Sequence, residues 1–241
     1  EIGIDGISLP LLILSTFISV LAIIYSIEHL PEPKSPKGFL ALILVLETGM
    51  NGTFVALDLI LFFVFFEIVL LPMYFMIGIW GDKTVRTVAG FKNQIETRLY
   101  ASIKFFVFTL FGSAFMLLGF LGLYYRGNRT FSIPELIELG TNGAFTGTFA
   151  MLVFAVLFLG FAVKVPMWPL HTWLPDAHTA APTVGSVLLA AILLKLGSYG
   201  FVRIAIPILP EQAKAWAPAI AILSAIGIIY GSLACLAQTD L

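Results

Sequence analysis

Seven stretches of this chain are too long and too apolar for the strands or core helices of a water-soluble domain. A helix needs about twenty predominantly apolar residues to cross a bilayer core. Residues 10–27, 39–54, 56–80, 100–125, 149–165, 184–206 and 216–237 read as such spans. The second is short and holds Glu47, Gly49 and Gly52, and Glu47 reads as lying near a wet helix end. The connections are short, which means helices rather than a barrel. Residues 81–98 form the longest strongly polar connection. Residues 126–146 are a loop in which Ser132 and Pro134 suit the cap and first turn of a short surface helix.

Composition agrees with an all-α, polytopic membrane bundle. Hydrophobic residues make up 59% and charged residues 11% of the chain, against about 25% charged in soluble domains. A net charge of −1 offers nothing to nucleic acid. The single cysteine, Cys235, excludes an intrachain disulfide and a Cys-rich cluster in this chain. The chain starts at Glu1 with no signal peptide and stops just after a span, so it reads as a fragment of a longer chain, one membrane domain over residues 1–241. Alternation of the spans puts Lys34, Lys37, Lys83, Arg86, Lys92 and Arg98 on one side, with Arg126, Arg129, Arg203 and Lys214 on the other. The richer side is predicted to be cytoplasmic.

Chemistry concentrates in residues 163–183, VKVPMWPLHTWLPDAHTAAPT. Lys164 ends an apolar run and Pro166 and Pro169 follow at once. Proline removes a backbone donor and clashes with the preceding turn, so the fifth span is predicted to break between Lys164 and Pro169. Backbone freed at membrane depth must face protein or water. Lys164, His171 and His178 recur every seven residues, one stripe on an unbroken helix, although the prolines disturb that phase. The sidedness above puts both histidines in the cytoplasmic half. Asp176 and Thr179 suit caps of the broken helix ends. Prolines deny the histidines a regular metal-ligand spacing, so no metal is assigned.

Two further charges sit inside apolar runs. Glu67 has four apolar residues on either side, with Pro72 five residues on. Lys195, in LLAAILLKLGSYG, is predicted to face the bundle interior, sharing a helix face with Ser198 and Tyr199. Burial disfavours the charged form of either group and a nearby opposite charge favours it. A Glu–Lys pair of variable separation is therefore a proton switch in principle, and histidines relay protons near neutral pH. The competing reading is a snorkelling lysine, static ion pairs and a proline-rich re-entrant loop. Phosphate-cradling loops, nucleotide fingerprints and catalytic triads are absent from the sequence.

The segments FFEIVLLPMYFMIGIWG and AVKVPMWPLHTWLPDAHTAAPTVGSVLLAAILLKLGSYGFVR resemble the antiporter-like chain M (subunit 4) family of respiratory complex I. GIDGISLPL and CLAQTDL extend the resemblance over essentially the whole chain. It implies a fourteen-helix fold with two inverted repeats, of which this chain holds the third to ninth helices and the first repeat, roughly residues 38–206. The second half-channel of that fold is absent here. The resemblance places the family's proton-path glutamate on Glu67, its broken-helix lysine on Lys164, its central lysine on Lys195 and its broken-helix histidines on His171 and His178. It implies proton export coupled to electron transfer from NADH, or from ferredoxin in photosynthetic relatives, to quinone. Flavin, iron–sulfur clusters, NADH and quinone are then expected elsewhere in the complex and no cofactor in this chain. Expected partners are the other membrane subunits and the lipid bilayer. The expected location is a bacterial inner membrane, with the thylakoid membrane as the alternative. A subunit of a multi-chain cation/proton antiporter and a passive membrane scaffold are the alternative functions.

Overall fold

In the computed structural model, which describes residues 1–86 and 95–238, seven helical segments are long and apolar enough to cross a membrane. The elements in order are α1 (Ser8–Glu28), α2 (Pro36–Val55), α3 (Leu59–Ile68), α4 (Leu70–Trp80), β1 (Val85–Arg86), β2 (Ile95–Glu96), α5 (Thr97–Arg126), α6 (Ile133–Thr141), α7 (Gly147–Lys164), α8 (Trp173–Ala180), α9 (Thr183–Ile208) and α10 (Pro210–Leu236). The third span is α3 plus α4. This is the all-α polytopic membrane bundle that the apolar runs predict. The described part of the long polar connection forms the antiparallel pair β1–β2. Lys92 and residues 239–241, the end of the CLAQTDL motif, lie outside the described residues.

One end of the bundle gathers the α1–α2 connection, the end of α4 and the end of α8. Trp80 Nε1 donates to the Pro33 carbonyl at 2.8 Å, and the Asp82 N–H donates to the Ala180 carbonyl at 2.8 Å. The other end gathers the start of the chain, the α2–α3 turn and α6. There the Gly3 N–H donates to Val55 and the Ile133 N–H to Leu57, both at 2.9 Å. Asp58 caps α3, its carboxylate accepting from the N–H groups of Ile60 and Leu61. The predicted short helix is present as α6, with Pro134 in its first turn, but Ser132 makes no side-chain cap. Glu47 lies inside α2 rather than at its end, because α2 continues through Gly49 and Gly52 to Val55. Those glycines allow α3 to approach closely: a Cβ on Gly52 would come within 2.3 Å of the Phe65 ring.

The third span is interrupted at Val69. Pro72 has no N–H to offer the Ile68 carbonyl, so the helical ladder opens there, one turn or less beyond Glu67. Around this point Phe62 is the hub of the core. Its ring meets Phe66 at 5.6 Å, Phe120 at 6.2 Å, Phe161 at 6.3 Å and Tyr199 at 6.4 Å, tying α3 to α5, α7 and α9. By contrast, α10 rests on the bundle through Ala213, Trp216, Ile220 and Leu223, with Trp216 packed on Phe154 and Phe158, and of its residues Gln212 alone is buried.

The entrance to α1 is built by Asp5. One carboxylate oxygen accepts from the N–H groups of Ile7 (3.0 Å) and Ser8 (2.9 Å), and the other binds Arg203 of α9. The Ser8 N–H, helped by the Ile7 N–H and the Arg203 charge, holds the Asp5 carboxyl below its ordinary value. A depressed carboxyl stabilises the fold above the unfolded-state value of about 3.9, and the contribution is lost as pH falls through the lower folded value. The thermal midpoint of Asp5→Asn should therefore lie below that of the parent at neutral pH. The gap should narrow below about pH 4.

Candidate functional site

The site grows from the interruption of the fifth span. α7 stops at Lys164, as the prolines predict. Pro166 has no N–H for the Ala162 carbonyl, which instead accepts from Met167 at 2.9 Å. The Val163 carbonyl accepts from the Trp173 indole at 3.0 Å, within the protein interior. The broken end is thus satisfied by protein, as membrane depth demands. Beyond it α8 runs beside the first half of α5.

Lys164 is 3% exposed, and its ammonium lies over the Phe66 ring at 4.7 Å from the centroid. A desolvated ammonium over an aromatic face gains a cation–π attraction. The neighbour of Phe66 is Glu67, half-buried on α3, whose carboxylate faces the Lys164 charge and the Ser113 hydroxyl of α5. Glu67 and Lys164 act on each other at longer range than the Lys104–Asp176 ion pair, which closes to 2.7 Å. Close helix crossings set this geometry. A Cβ on Gly160 would lie 2.8 Å from Met116 Cβ and 2.9 Å from the Gly112 carbonyl, so α5 and α7 nearly touch. On the other side, a Cβ on Gly197 would lie 3.0 Å from Lys164 Cβ, so α9 crosses α7 at the lysine itself.

Lys195 does not face the interior of this bundle. It is exposed, and its ammonium donates to the Ala190 carbonyl at 2.5 Å. The physical reason is a change of helical phase. Leu189–Leu193 forms a π turn, and Phe201–Ala205 forms a second. Each wide ring rotates the following residues away from the 3.6-residue pattern. Nor do the three polar groups share one face: Ser198 is exposed, whereas Tyr199 is buried and donates to the Phe54 carbonyl at 2.9 Å. Ser198 lines a cavity of about 300 Å³ with Val165, Met167 and Ser224, between α7, α9 and α10.

The seven-residue stripe is not formed, because no helix runs from Lys164 through His171. His171 lies in the connection and turns toward α10, with its ring against Tyr230 at 5.2 Å and its Nδ1 buried without a partner. His178, on α8, is half-buried, and its carbonyl accepts from Ser186 at 3.1 Å. Asp176 is not a cap but the partner of Lys104, and the Thr179 hydroxyl donates back to the Pro175 carbonyl at 2.7 Å. This pair ties α8 to α5, with both side chains about one-fifth exposed. Asp176→Asn should cost about 1–2 kcal/mol, between the values of exposed and buried pairs. A double-mutant cycle with Lys104→Met, read as the thermal midpoint of the purified protein, should show the coupling.

Sequence reasoning missed Ser113, the Lys104–Asp176 pair and the π turns. The pair had a signal: a lysine inside a span and an aspartate in a broken one each need a partner at membrane depth.

Residues 56–241 match the family described as NADH:quinone oxidoreductase/Mrp antiporter, transmembrane, and residues 1–53 match NADH-ubiquinone oxidoreductase chain 4, amino terminus. The chain belongs to the NADH:quinone oxidoreductase/Mrp antiporter family. Among its relatives, NADH-quinone oxidoreductase subunit M of Rhodobacter capsulatus is 44% identical over all of this chain and 46% of its own length. NADH-ubiquinone oxidoreductase chain 4 of Mycosarcoma maydis is 41% identical, with the same coverage. A chain of respiratory complex I from Thermus thermophilus superposes with a TM-score of 0.81 at 30% identity, over all of this chain and 46% of that one. The archaeal membrane-bound sulfane sulfur reductase shares the fold, with a TM-score of 0.78 at 24% identity over 93% of this chain and 43% of that one. This member of the family thus spans about half the length of the curated relatives it matches. It is an integral membrane protein.

Proposed function

We propose that this chain moves protons across the membrane as part of an NADH–quinone oxidoreductase. Its path runs through Glu67, Lys164 and Lys195, with His171 and His178 extending it toward the cytoplasm. The observation that carries this reading is Lys164: a fully buried ammonium at the end of an interrupted span, facing a carboxylate on a second interrupted span. Interrupted helices can shift by small amounts where intact ones resist, so the distance between the two charges can vary. A close Glu67 holds the proton on Lys164, and a distant one releases it toward α9. The crossing at Gly197 brings the Lys164 backbone against the helix that carries Lys195. Lys195 faces outward, so the path would continue at that face into the remainder of a full-length relative.

The match of residues 1–53 to the chain 4 amino terminus favours the oxidoreductase over the cation antiporter, whose kin share the longer family model. NADH, flavin, iron–sulfur clusters and quinone are assigned to other subunits, and the membrane subunits of the complex are the proposed partners. The side rich in lysine and arginine is proposed to face the bacterial cytoplasm.

The test is purification of the full-length protein with its native partners, reconstitution in vesicles, and measurement of protons moved per electron. Copurification with cation antiporter subunits would overturn the assignment. Replacing His171 and His178 together by Gln should lower coupled translocation by about tenfold or less, a smaller loss than removing Lys164, because water partly bypasses a relay. An unchanged proton-to-electron ratio in the double variant would remove the histidines from the path.

A further inference from the structure

The buried face of α1 is polar. Its fully buried residues are Ser8, Ser15, Ser19, Ala22 and Ser26, one stripe along the whole helix. Small residues let membrane helices approach, and that alone would explain a stripe. It does not explain the hydroxyls of Ser15 and Ser19. Ser26 donates back to the Ala22 carbonyl at 2.7 Å, and Thr16 and Thr53 donate back to Leu12 and Gly49 at 3.0 and 2.7 Å. Ser15 and Ser19 are 0% exposed, yet the Oγ of each has no partner at all. A buried hydroxyl left unpaired is costly, so native interiors supply a partner, frequently an ordered water.

α1 packs against α2 and against α9, including its first π turn. α1 and α9 run antiparallel. At one end Asp5 binds Arg203, and at the other Tyr25 and Thr183 share the wall of one pocket. Counting inward from the Asp5–Arg203 pair in both helices brings Ser15 level with Leu193 and Ser19 level with Leu189, and the same count arrives at Tyr25 opposite Thr183. The two orphan hydroxyls therefore lie at the height of the π turn Leu189–Leu193. A wide turn disturbs the one-to-one match of N–H donors and carbonyls, and one carbonyl there, Ala190, already takes a side-chain donor from Lys195.

We propose that an internal water molecule is bound between α1 and the π turn of α9, bridging Ser15 Oγ and Ser19 Oγ and donating to a π-turn carbonyl. The spacing fits. Residues four apart on one helix face are about 6 Å apart along the axis, and rotation about χ1 can lean their two hydroxyl oxygens toward each other to about 4.5–5 Å, which one water spans with two hydrogen bonds of about 2.8 Å. Two hydroxyls and a carbonyl give it three partners, the usual number for a buried water. The site does not depend on the proton path proposed above, and Glu67 and Lys164 variants leave it untouched.

A density map of the full-length protein in its membrane assembly, at a resolution that shows ordered water, tests it. The expected result is a peak within hydrogen-bond distance of both hydroxyls, lost in Ser15→Ala/Ser19→Ala while the surrounding helices keep their places. The proposal is overturned if the hydroxyls instead bind the Leu11 and Ser15 carbonyls with no peak between them. It is equally overturned if the peak survives in the double alanine variant. Should that variant fail to assemble, the parent map decides alone.

Discussion

Glu67→Gln is expected to lower proton translocation per electron by about tenfold or more in a fully assembled complex, while quinone reduction and assembly persist. Glutamine keeps the volume on α3 and can still meet the Ser113 hydroxyl, but it carries neither charge nor an exchangeable carboxyl proton. A positioned acid or base contributes about 10²–10⁴ to a proton-transfer step, and partial bypass by water sets the lower figure. Lys164→Met should produce the same loss from the other side. Methionine fills the space over Phe66 but removes the ammonium. Glu67→Asp should retain part of the activity, because the carboxyl survives and moves back by one methylene. A static structural pair makes the opposite prediction. In that case both replacements would reduce the amount of complex, and whatever assembled would pump at the parent stoichiometry. Normal rate and stoichiometry in Glu67→Gln would rule out the switch.

The second large effect is mechanical. Gly160→Val should sharply reduce the amount of assembled protein and lower its thermal midpoint. The added Cβ meets Met116 Cβ at 2.8 Å and the Gly112 carbonyl at 2.9 Å. The latter is backbone, which cannot rotate away. Overpacking of this kind costs about 1–3 kcal/mol where side chains can adjust, and more where they cannot. It also pushes α7 away from α5 at the level of Ser113, one turn from Lys164. Gly231→Ala on α10 is the control, since an added Cβ there meets nothing within 4 Å. It should be neutral or stabilise by up to about 1 kcal/mol, the usual gain from replacing a helical glycine. Equal damage from the two substitutions, seen on native gels, would show that helix approach at Gly160 does not hold the bundle together.

Much of the architecture follows from local rules that need no partner. Apolar length fixes most spans to within a few residues, as at α5, expected at 100–125 and formed at Thr97–Arg126, whereas α10, expected from 216, already starts at Pro210. Chemistry of a single residue type fixes the break, because Pro166 and Pro169 lack donors wherever they stand. Charge inside an apolar run marks Glu67, Lys164 and Lys195 without saying which way each points.

Direction is what tertiary structure decided. Lys164 turns inward because α9 crosses at Gly197 and closes over it. Lys195 turns outward because a π turn shifts the helical phase five residues earlier, and no propensity of LAAIL announces that ring. Ser198 and Tyr199 need no such shift to part: they are successive residues of the regular helix Leu194–Gly200 and point about 100° apart. Asp176 reads locally as a cap, but a lysine 72 residues earlier in the chain claims it. Local sequence thus determined where helices begin, break and end, since those depend on each residue's own backbone and transfer energy. Which face of each helix meets which neighbour depends on packing among residues far apart in the chain, and that pairing settled which charges were buried together.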